Sequence, residues 1–243
     1  SHQLESDAIS SMKVERPENI PLSFAQQRLW FLDQMEPGNP FYNMPIGLKA
    51  KGDFRIDVFK RVIDEVIKRH DSFRTAFVKR GDTPCQEIVE SVKTPVEYHP
   101  LEEHGGELAS VEDLLQAEAE KPFDLTKAPL LRIALYQTQP DENLILVTMH
   151  HIISDGWSMG VLFQDVVLLY SAFCQELESP LEPLEFQYAD FACWQRQHLE
   201  GERLQQQLDY WLEQLEGLPP LLELPADKTR PPQQSFGGAI VPV

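Results

Sequence analysis

The residues best equipped for chemistry lie in one stretch, His150-His151-Ile152-Ile153-Ser154-Asp155-Gly156-Trp157-Ser158. Histidine takes or gives a proton near neutrality, and a nearby carboxylate can orient it or balance its charge. The stretch follows the apolar run 144–149, broken only by Thr148, and precedes residues at helical spacing, so it marks a strand-to-helix junction. A strand end is rigid, and a helix N-terminus offers unpaired N–H groups and partial positive charge. That combination suits a site where negative charge develops on an oxygen. Successive strand residues point to opposite faces. His150 and His151 must therefore diverge, one toward the packed interior and one toward open space, which disfavours a shared metal. Ser154 lies in the turn without a G-x-S-x-G elbow, which disfavours a Ser-His-Asp hydrolase. Asp155 has the position of a helix N-cap. Gly156 leaves room for close backbone approach to a substrate.

The elements that must hold this stretch are legible in part. Residues 130–136 and 144–150 read as strands parted by a turn around Pro140-Asp141-Glu142-Asn143. Met159, Leu162, Phe163, Val166, Val167 and Tyr170 then recur at helical spacing toward Cys174. Val58, Phe59, Val62, Ile63, Val66 and Ile67 form an earlier apolar helix face, with Lys60, Arg61, Asp64, Glu65 and Lys68 opposite. Residues 73–78 and 85–89 read as strands around a Gly81-Asp82 turn, 111–120 as a short helix, and 188–198 and 203–215 as two more helices. Tyr188, Phe191 and Trp194, spaced by three, read as packing. The order of elements predicts an α/β fold, a two-layer sandwich of helices on a mixed sheet.

A chain of 243 residues with 42% hydrophobic and 25% charged residues can bury a substantial core. The formal charge of −18 disfavours nucleic acid or an anionic membrane as partner, because phosphate binding needs clustered cations. About half of the Lys and Arg residues fall between Lys49 and Arg80, a solvated surface or a docking patch for an acidic partner. Cys85, Cys174 and Cys193 include no C-x-x-C pair and read as reduced, buried thiols. No run reaches the ~20 apolar residues of a membrane span, and no signal peptide opens the chain, so the expected compartment is the cytoplasm. Residues 1–19 read as a linker or extended arm, 20–216 as one lobe, and 217–243, with five prolines before Gly237-Gly238, as a connector.

His150 to Gly156 matches the H-H-x-x-x-D-G signature of the condensation domains of nonribosomal peptide synthetases, which resemble chloramphenicol acetyltransferase in fold. Three further motifs occur in the family's order. Ser23-Phe24-Ala25-Gln26-Gln27-Arg28-Leu29-Trp30 resembles S-x-A-Q-x-R-L-W, and Tyr188-Ala189-Asp190-Phe191-Ala192-Cys193-Trp194-Gln195 resembles Y-x-D-F-A-x-W-Q. Arg69-His70-Asp71-Ser72-Phe73-Arg74-Thr75-Ala76-Phe77 is similar to R-H-E-x-L-R-T-x-F, with Asp71 for Glu and Phe73 for Leu. The resemblance spans about residues 20 to 238, the family's first lobe. Its later motifs, which belong to a second lobe, have no counterpart here.

The resemblance implies amide formation between a carrier-bound acyl or peptidyl thioester and the amine of a carrier-bound aminoacyl thioester. His151 takes the catalytic role by this match. His150, Asp155, Gly156, Arg28, Arg69 and Arg74 support it, and Trp157, Ser158 and Ser23 line a substrate channel. For Asp155 the family implies a buried ion pair with Arg28, Arg69 or Arg74, beside the helix-cap reading. For Trp157 core packing is the other reading. No cofactor is bound directly, since phosphopantetheine arrives on the carriers. The implied partners are donor and acceptor carrier proteins, a C-terminal lobe of the same domain and an adjacent adenylation domain. Without the second lobe the chain is expected to be inactive alone. Two rivals stand beside this reading. One is an epimerisation domain of the same fold, and the other is a noncatalytic platform that recruits carriers or tailoring enzymes.

Overall fold

The computed structural model describes residues 14–104, 110–219 and 225. Most of the connector 217–243 and of the arm 1–19 therefore lies outside the described residues. In chain order the elements are β1 (Ile20–Pro21), α1 (Phe24–Met35), β2 (Asn43–Lys51), α2 (Ile56–Arg69), a 3-10 turn (Asp71–Arg74), β3 (Thr75–Arg80), β4 (Thr83–Ile88), β5 (Val96–His99), α3 (Leu101–His104), α4 (Val111–Glu120), β6 (Leu131–Gln139), β7 (Glu142–His150), α5 (Gly156–Cys174), α6 (Tyr188–His198) and α7 (Gly201–Gln214). Residues up to Leu199 form one compact unit and the residues from Glu200 another. In the second unit α7 buries none of its residues.

The larger sheet runs β2-β7-β6-β5, antiparallel except for the parallel pair β5–β6, and so is mixed as expected. Strand β7 is central, paired on both edges and buried at every residue after the first. Its alternation divides the core. Ile145, Val147 and Met149, with Leu131, Ile133 and Leu135 of β6, meet the apolar face of α2 and the Met159, Leu162, Leu169 and Phe173 face of α5. The opposite parity, Leu144, Leu146 and Ala134, meets Val111, Leu114 and Leu115 of α4. A short helix thus also covers part of the second face. A continuous apolar run is what a strand covered on both sides requires.

A smaller antiparallel sheet, β1-β4-β3, was not foreseen as separate. Phe77 of β3 joins Leu22, Leu125, Leu130 and Ile152 in a second core cluster, which links this sheet to the turn after β7. Strand β3 starts at Thr75 rather than at Phe73. The Phe73 N–H donates to His70 O (3.1 Å) and the Thr75 hydroxyl to Asp71 O (2.8 Å), which closes a 3-10 turn first. Strands β2 and β5 were also unforeseen. Strand β2 carries Pro45 and Gly47, which weaken a strand pattern and which an edge position tolerates.

Helix α5 runs from Gly156 to Cys174 as the sequence implies, and with one charged side chain, Asp165, it is more apolar than an amphipathic pattern implies. By length and composition it could cross a membrane, yet its Met159, Leu162 and Phe173 face packs on the sheet. Arg16 donates to Asp190 of α6 (2.5 Å) and to Asp71 (3.0 Å), and Ile20–Pro21 pairs with β4.

Leu135 is fully buried between β6 and the helices above it. Leu135→Ala should cost about 2–5 kcal/mol of unfolding free energy by urea titration, while a loss below about 1 kcal/mol would contradict this core assignment.

Candidate active site

The chain leaves β7 at His150 and turns through residues 151–155 into α5. The Ile153 N–H donates to His150 O (3.1 Å), and the Met159 N–H to Asp155 O (3.0 Å) opens the helix. His151 is held at its backbone by Tyr42 O (2.8 Å), at the start of β2. Helix α1 reaches the same turn through Gln26. Ser23 and Gln26 form a capping box, and the Gln26 amide, buried at 3% exposure, approaches Ile152 O at 3.5 Å.

The two histidines diverge as strand geometry requires. His150 is 3% exposed, between Phe123 and Tyr42. Its Nδ1 accepts the Ile152 N–H (3.1 Å), so the neutral ring carries its hydrogen on Nε2. Burial, with a smaller contribution from His151, pushes its pKa down to about 4. His151 is exposed and has the opposite tautomer. Its Nδ1 lies 2.8 Å from Ser154 O, and a carbonyl can only accept, so Nδ1 carries the hydrogen and Nε2 of the neutral ring is an acceptor without a partner among the described residues. His151 lines a cavity of about 310 Å³ together with Ala25, His70, Phe73, Asp155, Trp157, Ser158, Val161 and Tyr188. That volume is at the lower end of ordinary ligand pockets.

Asp155 resolves into the cap. It is exposed, and its Oδ1 accepts the Ser158 N–H (2.8 Å) and hydroxyl (2.7 Å), bonds that hold its carboxyl below the usual range. The expected buried ion pair is not what the structure contains. Arg69 pairs with Asp165 (3.2 Å), Arg74 pairs with Asp71 (2.7 Å), and Arg28 is exposed on α1 without an ion pair among the described residues. Because Asp155 occupies the Ser158 N–H, the start of α5 is not a vacant cradle for an oxyanion. A Cβ added at Gly156 would meet nothing within 4 Å, so this glycine is not required by packing and leaves space beside the backbone.

Trp157 is 86% exposed at the cavity edge, which rules out core packing. Ser158 lines the cavity as expected, with its hydroxyl donating to Asp155. Ser23 does not line it. Ser23 is fully buried, and its Oγ accepts from Gln26 N (3.1 Å) and meets the Tyr188 hydroxyl (3.0 Å). Tyr188, read as packing, is the wall residue instead. Sequence reasoning also passed over Gln26 and His70, both inside quoted motifs. Their polar types at positions that fold into a protein interior were the signal.

The buried His150 makes a pH prediction. The unfolded ring binds a proton near its ordinary 6.5 and the folded ring only near about 4, so its contribution to stability is complete above 6.5 and drains as pH falls toward 4. Urea unfolding at pH 7 and pH 5 should show a loss of stability that shrinks in His150→Gln; equal losses in both proteins would contradict it.

Comparison with known proteins agrees with this geometry. The condensation-domain family model matches residues 17–242. Malpibaldin synthetase of Mortierella alpina is 44% identical over 232 residues, which are 95% of this chain and 4% of that protein. The X-domain solved in complex with OxyB from teicoplanin biosynthesis is 30% identical with a TM-score of 0.77, over 90% of this chain and 48% of that one. The starter condensation domain of rhizomide synthetase RzmA, at 24% identity and a TM-score of 0.74, shares the fold over 84% of this chain and 49% of its own. The chain thus spans about half of these solved domains and a small fraction of its long synthetase relative. With its fold, its four ordered motifs and a family match over nearly its whole length, this chain belongs to the condensation domains of nonribosomal peptide synthetases.

Proposed function

We propose that this chain is the first lobe of a domain that joins two carrier-bound thioesters through an amide, with His151 contacting the attacking amine. The observation that carries the reading is the fixed tautomer of His151. With Nδ1–H anchored on Ser154 O, Nε2 is left as the acceptor of a ring that lines the cavity.

In this reaction the lone pair of the acceptor amine attacks the donor's thioester carbonyl, the carbon–sulfur bond breaks, and nitrogen sheds one proton. Nε2 accepts that proton and can return it to the departing sulfur, which leaves as a thiol. An unperturbed α-amino group has a pKa of roughly 7.7–8.0, so an appreciable fraction is neutral near pH 7. His151 therefore acts mainly by holding the amine in line, with proton transfer second. Phosphopantetheine arms on the donor and acceptor carriers deliver both substrates, and no cofactor is bound by this lobe. The proposal extends to a C-terminal lobe that completes the channel, an adjacent adenylation domain that supplies activated substrate, a cytoplasmic setting, and inactivity of this lobe alone.

A second reading is supported by the X-domain likeness, since that domain is solved with a second protein, OxyB, bound to it. On that reading the lobe is a recruiting surface and His151 is idle.

Mixing two preloaded carrier proteins with the two-lobed domain should give an amide by product mass. His151→Ala should lower the single-turnover rate by about 10²- to 10⁴-fold, the range of general acid–base and positioning effects. Amide yield indifferent to His151→Ala would overturn the role of His151. A folded, carrier-binding domain that makes no amide would favour the recruiting surface, and inversion at the α-carbon without amide would identify an epimerase.

A further inference from the structure

A second imidazole lines the cavity of His151. His70 follows the last turn of α2, where its N–H donates to Val66 O (3.0 Å). Its Nε2 lies 2.8 Å from Oδ2 of Asp165, a carboxylate on α5 that is only 7% exposed. The same oxygen accepts from Arg69 Nε (3.2 Å), and Arg69 in turn donates to Glu182 O (2.5 Å). A guanidinium is a permanent cation, so the Asp165 charge is already balanced and does not require a protonated histidine. A neutral His70 donating Nε2–H to Asp165 satisfies the arrangement. Nδ1 is then a bare acceptor, without a partner among the described residues. Phe73 meets the ring edge-on, at 6.0 Å and 86°, and helps fix its plane.

The cavity therefore holds two imidazoles in complementary states. His151 is anchored at Nδ1 by a carbonyl and His70 at Nε2 by a carboxylate, which leaves one unengaged acceptor nitrogen on each. Around them the wall is largely apolar, with Phe73, Val161 and Leu162.

We propose that His70 is a second substrate-contacting residue, whose Nδ1 accepts an N–H of the attacking amine while His151 Nε2 accepts another; this rests on the amide-forming reading above. An amine that attacks with its lone pair keeps its N–H bonds pointing away from the carbonyl, and those bonds gain positive charge as the new bond forms. Two fixed acceptors aim the lone pair, and their hydrogen bonds strengthen as the charge develops. Asp165 and Arg69 act through His70 and are positioning residues.

The test is single-turnover amide formation by the two-lobed domain in its synthetase, with preloaded carriers. The variants are His70→Phe, His70→Asn, His151→Ala and the double variant His70→Phe/His151→Ala. His70→Phe should slow the reaction roughly 10- to 100-fold, the worth of one charge-assisted hydrogen bond, with carrier affinity unchanged; the melting midpoint should fall by a similar amount in His70→Phe and His70→Asn, since both take the same donor from Asp165. His70→Asn, whose Oδ1 takes the place of Nδ1, should recover most of that loss. In the double variant the losses should be far from multiplicative, because both rings hold one amine. His70→Phe at the unsubstituted rate would overturn the proposal. So would equal rate losses in His70→Phe and His70→Asn, or losses that multiply fully. No amide from the unsubstituted protein would remove the amide-forming reading and this proposal with it. Amide that depends on His151 but not on His70 would remove this proposal alone.

Discussion

Strand β7 is hydrogen-bonded on both edges and covered on both faces, and the arrangement of the site depends on where it ends. A strand so enclosed has no freedom of register, because a slip of one residue would carry its whole apolar set to the wrong side. His150 is its last residue and shares the parity of Leu144 and Leu146, so its ring is committed to the interior. His151 is thereby delivered to the surface at a fixed place. The turn then does the finer work: the Ser154 carbonyl selects the tautomer of His151, and the Asp155 cap starts α5 close behind it. Neighbouring residues of the same type end in opposite environments with opposite tautomers.

The charges around the cavity are arranged to hold parts in place. Asp165 lies between Arg69 and His70, tying α5 to the end of α2. Asp71 is shared by Arg74 and Arg16, and Arg16 also clasps Asp190, so the arm before β1 is stitched to α6 and to the 3-10 turn. These contacts hold the Asp190 carboxyl below its usual range despite its partial burial, and they push the Arg16 guanidinium up. Partly buried pairs of this kind add little net stability, because desolvation offsets the attraction, yet losing one partner strands the other. Their contribution is geometric: three motifs far apart in the chain meet at one wall.

Much of this was legible in the sequence. Strong periodicity marked α2, α4, β6, β7 and α5, and the mixed α/β class followed from their order. The divergence of His150 and His151 followed from the two-residue repeat of a strand. What escaped lacked local signal. Strand β2 owes its form to pairing with β7 along its whole length, and its Pro45 and Gly47 argue against a strand locally. The roles of the motif residues escaped for another reason. Ser23 caps α1 while Tyr188 lines the cavity, and Asp165 rather than Asp155 receives Arg69. The Ser23 cap is closed locally by Gln26, three residues on, whereas the Tyr188 contact and the Arg69–Asp165 pair join residues about 100 or more positions apart, to which spacing within a motif is blind.

The turn after β7 presents His151 with Nε2 bare while His150 is locked the other way. Nitrogen-15 NMR of the two imidazoles near pH 7.5 measures this directly, since protonated and bare ring nitrogens resonate far apart. A bare Nε2 on His151 and a bare Nδ1 on His150 are the expected result. A His151 ring carrying its hydrogen on Nε2 would contradict this, because Nε2 would then be a donor and could not receive an amine proton.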